Sequence, residues 1–116
     1  MNEQLKPRTK ALALRIIRVV ESLPQNTTGQ VIGRQLLRCG TSVGANYRAA
    51  ERAKSTADMI NKLKIVEEEA DETLYWLELL VESQLLPAAR LADLMAEVDE
   101  IVAMTVAPIK TLRQRQ

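Results

Sequence analysis

The sequence predicts an all-α protein, an up-down-up-down antiparallel four-helix bundle. Apolar residues recur three or four positions apart along nearly the whole chain. Four Gly, four Pro and no Phe in 116 residues argue against a turn-rich β fold. The breaks at Pro24, Ser55 and Pro87 leave connections of only a few residues, so consecutive helices must be neighbours. The spacing places helices at about residues 8–23, 28–53, 56–84 and 88–112, in a single domain over residues 1–116 with one modest core.

Residues 1–7 are polar and end on Pro7, which predicts a frayed lead-in. From Arg8 the pattern is helical: Leu12, Ile16, Val19, Val20 and Leu23 face one way, Lys10, Arg18 and Glu21 the other. Leu23-Pro24 closes this helix, because proline disfavours helix in the residue before it. Thr27 and Gln30 have the spacing of a capping box at the start of the second helix.

That second helix organises the rest. Ile32, Leu36, Cys39, Val43, Tyr47 and Ala50 share one side, while Arg34, Arg38, Arg48 and Arg52 share the opposite one. Between Gly40 and Asn46 almost every residue is small. Such a run weakens an isolated helix but lets a neighbour come close. Asn46 sits at the edge of the apolar side, where an amide needs a partner. It is expected to bond across to a neighbouring helix, with Glu72 a candidate, or to fix helix register; register is preferred over ligand binding.

Ser55 supplies a cap oxygen for the third helix. Met59, Leu63, Val66, Ala70, Leu74, Leu77 and Val81 form its first apolar stripe. Ile65, Trp76, Leu79 and Leu80 form a second, with Glu69 and Glu72 in the same sector. Two apolar faces on one helix need two partners. The second face is therefore expected at a subunit contact, involving Ile65, Glu69, Glu72, Trp76 and Leu79, unless the bundle hides both itself.

Leu85-Leu86-Pro87 sets proline near the first turn of the fourth helix. Leu91, Leu94, Val98, Ile101, Thr105, Ile109 and Leu112 form its buried line, with Asp93, Glu97 and Glu100 outside. Pro108 lies within the pattern and should kink or end the helix.

The net charge is only +1, yet residues 1–54 hold ten Lys/Arg against three Asp/Glu, and residues 55–116 six against twelve. The basic and acidic halves can pack against each other, within or between subunits, or leave a basic surface free for a partner. The four arginines span about 27 Å at 1.5 Å per residue, a length suited to a phosphate backbone. With Tyr47 on the core side there is no aromatic interleaving, so any RNA contact would be electrostatic and weakly selective. The chain has no histidine, which removes His-based triads and the Glu-x-x-His pairs of di-iron bundles. Glu69 and Glu72, three apart, leave a carboxylate metal or acid/base site as an alternative to Arg-paired or interfacial carboxylates. Gly29, Gly33, Gly40 and Gly44 are spaced for helix packing rather than phosphate binding. No catalytic residue and no cofactor is expected. Cys39 permits no internal disulfide and reads as a core residue. With no apolar leader and no run of eighteen apolar residues, a cytoplasmic protein with no membrane partner is expected.

The run from Val31 to Ala50, VIGRQLLRCGTSVGANYRAA, with Ser55 and then KLKIVEEEADETLYWL from Lys62 to Leu77, resembles the four-helix-bundle family of 23S rRNA intervening-sequence proteins. Members of that family are often labelled ribosomal proteins. The likeness runs from about Lys6 to Leu112, and is most specific in Thr41-Ser42-Val43-x-x-Asn46-Tyr47 and in Glu69-x-x-Glu72-x-x-x-Trp76-Leu77. It implies an up-down bundle assembled as a homo-oligomer, typically a ring of five. Members occur in reading frames inside insertions of large-subunit rRNA genes. A related branch resembles the accessory protein of diversity-generating retroelements, which binds a reverse transcriptase and nucleic acid. No catalytic residues are implied. Residues and resemblance together predict a non-enzymatic, self-associating bundle; the alternatives are a module binding RNA or a ribonucleoprotein through helix two, and a carboxylate metal site.

Overall fold

Side chains start two of the helices. Asn26 accepts a 2.8 Å hydrogen bond from the Gly29 backbone N–H, and Ser55 accepts one of 3.1 Å from Asp58. In the computed structural model, which describes residues 2–116, the helices are α1 (Leu5–Glu21), α2 (Thr27–Glu51), α3 (Thr56–Glu82) and α4 (Ala88–Gln114), with no strand among the described residues. The cap of α2 is thus Asn26, and Thr27 is the first helical residue rather than the cap of a Thr27/Gln30 box. Leu5 starts α1 three residues before the expected start at about residue 8. Pro7 falls in the first turn, where its missing N–H has no partner to lose, so it favours the helix instead of preceding it. At the other end of the chain α4 runs through Pro108 to Gln114, so that proline does not terminate it. Gln84, at φ 63°, turns the chain out of α3, and the Leu85 and Leu86 N–H groups bond back to the Leu80 carbonyl.

The helices pack side by side around one elongated core, with overall extents of 47 × 22 × 20 Å. Sequential pairs touch most, α1 and α4 touch least, and the diagonal pairs are not in direct backbone contact among the described residues. Leu12 and Ile16 of α1, Leu36 and Val43 of α2, and Val98 and Ile101 of α4 are fully hidden, as expected. On α3 the hidden line is Ile60, Leu63, Val66, Ala70, Thr73, Leu77 and Leu80. The stripe expected through Met59, Leu74 and Val81 is half-buried at those three positions. Thr73 is tolerated inside because its hydroxyl donates to the Glu69 carbonyl at 2.7 Å.

The small residues of α2 do what their size allows. Gly44 lies against Thr9, Gly40 against Ile16, and Gly33 against Val20 and Leu23. A Cβ on Gly40 would come within 2.8 Å of the Ile16 side chain. Gly29 is tighter still, since a Cβ there would sit 2.1 Å from the Pro24 carbonyl oxygen. Tyr47 is buried with its hydroxyl donating 2.9 Å to the Asn2 carbonyl, which ties the start of the chain to α2. Cys39 is fully buried, and burial pushes its thiol pKa up. Among the described residues no helix is long and apolar enough to cross a membrane.

Candidate functional site

Packing α2 against α3 brings Arg38 within reach of the two carboxylates that share one face of α3. Its guanidinium donates 3.2 Å to Glu69 and makes a second, closer contact to Glu72. Glu72 also accepts from the Trp76 indole N–H at 3.0 Å. One arginine, two carboxylates and one indole therefore form a single network along the α2/α3 seam. Arg38 is half exposed, while Glu69 and Glu72 are only 21% and 36% exposed. The pair three residues apart is thus held by a guanidinium, the alternative weighed against a metal site. Among the described residues no three His, Cys, Asp or Glu side chains converge.

Around this network lie Ile65, Trp76 and Leu79, all half-buried. Tyr75 beside them is 52% exposed, with its ring edge-on to that of Trp76 at 5.3 Å between centroids. Leu80, assigned by its spacing to the same stripe, is instead inside the core. Asn46 is half-buried and its amide donates 2.9 Å to the Ser42 carbonyl of its own helix. Among the described residues it makes no hydrogen bond to Glu72.

The four arginines of α2 do not form one array. Arg38 turns to α3, whereas Arg34 and Arg48 border grooves on the α1 side. Arg34, Arg48 and Arg52 are exposed, and none makes an ion pair among the described residues. Lys10, which periodicity left on the solvated side of α1, and Lys6, expected in the frayed lead-in, stand with Arg48 around a cleft of about 240 Å³ between α1 and α2. Their four-residue spacing was visible, but which neighbour they face was not.

A second network was also missed. Arg8 of α1 donates to Glu97 of α4, 2.9 Å from Nε, and lies 3.2 Å from Glu100. Glu97 was expected outside, yet it is only 22% exposed. The Arg8 guanidinium holds its carboxyl below the usual range, and the two carboxylates raise the Arg8 pKa further.

The chain matches the model of the 23S rRNA-intervening sequence protein family over residues 3–107. It is similar to a crystal structure of a protein with unknown function from the S23 ribosomal protein family, from Bacteroides thetaiotaomicron VPI-5482. The two share 39% identity and a TM-score of 0.86, over 91% of this chain and 98% of that one. No curated protein matches the chain. With the match covering almost all of the four helices, the chain belongs to the 23S rRNA-intervening sequence protein family.

Proposed function

We propose that this protein is a non-enzymatic, cytoplasmic homo-oligomer whose four helices alternate up and down and whose subunit contact is the α2/α3 seam. The pairing of Thr9, Ile16 and Val20 with Gly44, Gly40 and Gly33, one series ascending as the other descends, supports the antiparallel run of α1 and α2. Trp76 carries the rest of the reading. It remains half exposed beside Ile65, Leu79 and the exposed Tyr75, while its N–H and both neighbouring carboxylates are already engaged within the chain. Burying such a face against a second copy removes apolar area from water while both carboxylates keep the Arg38 guanidinium as a partner. Tryptophan at the middle of such a patch is a usual anchor of binding energy. A ring of five follows from the resemblance to the family. Trp76→Glu is expected to shift the particle toward monomer in light scattering; an unchanged mass for a folded variant removes this contact.

A second reading is a module that binds RNA or a ribonucleoprotein, favoured by Arg34, Arg48 and Arg52, which are exposed and make no ion pair among the described residues. It predicts binding of a single-stranded RNA that weakens steeply with salt. Absence of binding at low salt counts against it.

A further inference from the structure

The α1/α2 cleft sets cationic side chains around a floor of small residues. Ala13, Gly44 and Ala45 line it. Because Gly44 has no side chain, α1 comes so close that a Cβ there would be 3.3 Å from the Thr9 carbonyl oxygen. Lys6 and Lys10 stand on one side of the depression and Arg48 on the other. Glu3 and Glu51, whose charges reach Tyr47, make no ion pair with any of the three among the described residues. The hydroxyls at the cleft already donate elsewhere: Thr9 to the Lys6 carbonyl and Thr41 to the Leu37 carbonyl. The donors left for a ligand are therefore all cationic, above a floor of small apolar groups.

We propose that this cleft binds a phosphate group attached to a small carbon body, as in a sugar phosphate ester. Three cations approaching from two helices match the several oxygens of a phosphate, where a carboxylate offers only two. The volume of about 240 Å³ takes a phosphate and its sugar carbons, and Tyr47, 2% exposed, offers no ring face on which a base could stack. The phosphate can come from a free mononucleotide or from one position of an RNA backbone. The proposal rests on the RNA-binding reading only for the second source.

The test is titration of the full-length protein, at low salt, with inorganic phosphate, a nucleoside monophosphate and a short homopolymeric oligoribonucleotide. Lys10→Ala and Arg48→Ala should each weaken binding roughly five- to tenfold, and for the oligonucleotide each should reduce the salt slope by about 0.7. Ala45→Leu fills the floor without changing any charge and should also weaken binding. Arg34→Ala, away from the cleft, should leave the two small ligands unaffected. Saturable binding of the mononucleotide with this mutational pattern assigns the free ester; the same pattern with the oligonucleotide alone assigns the backbone. If no probe binds, the site does not exist. Oligonucleotide binding that Ala45→Leu leaves unchanged and Arg34→Ala weakens as much as Arg48→Ala does overturns the cleft while leaving the RNA reading standing.

Discussion

Arg8→Ala probes the thinnest seam of the molecule. Arg8 is the link from α1 to Glu97 and Glu100 of α4, where the helices otherwise touch least. Arg8 and Glu97 are 24% and 22% exposed, so solvent screens the pair only in part. Removing the guanidinium leaves a half-buried carboxylate without its partner, a loss of about 1–2 kcal/mol after allowance for that screening. For a domain of this size that corresponds to a melting temperature lower by about 4–8 °C. The effect has a pH signature. The Glu97 pKa is lowered on folding, so the pair adds stability above the unfolded carboxylate pKa of about 4.3 and loses it as pH falls through the folded value. Arg8 stays charged throughout this range and contributes no further pH dependence. Circular-dichroism melts of both proteins at matched concentration should differ at pH 7 and converge in acid. A difference that persists unchanged at low pH would assign the loss to the packed arginine stem, and no difference at pH 7 would refute the reasoning altogether.

Three further perturbations follow from local geometry. Gly29→Ala drives a Cβ into the Pro24 carbonyl and should cost more than Gly40→Ala, which meets the Cβ and Cγ atoms of the buried Ile16 at a cost of about 1–3 kcal/mol, while Gly44→Ala, 3.3 Å from the Thr9 carbonyl oxygen, should cost least; urea unfolding ranks the three. Asn26→Ala should lose about 1 kcal/mol and Thr27→Ala much less, and Gln84→Gly should gain up to about 1 kcal/mol by relieving the left-handed residue. Cys39, buried with its thiol pKa raised, should react with a thiol reagent only as fast as the protein opens; a rapid reaction in the native state contradicts its burial.

Helix number and core were legible because three-to-four spacing survives small errors of phase. Finer assignments were not. Over the length of α3 a stripe through Leu74 and Val81 differs from one through Thr73 and Leu80 by a single position, and periodicity favours the more apolar choice. The hydroxyl of Thr73 reverses that choice by bonding to its own helix, which hydropathy does not register. The Arg38 network was half legible, since Glu69 and Glu72 share a face by spacing but only the α2/α3 packing selects Arg38 from four arginines. Arg8 and Glu97 lie 89 residues apart, and no local pattern joins them. Likewise, the cleft exists because Gly44 draws α1 close, so Lys6 and Lys10 acquire Arg48 as a neighbour only once the helices pack.

The mass of the wild-type particle in solution decides most directly whether this chain associates with copies of itself. Light scattering across a dilution series should return a fixed multiple of the 13.0 kDa chain, five if the family ring holds. A species of 13.0 kDa at every concentration would contradict self-association and leave the half-exposed Trp76 without a role.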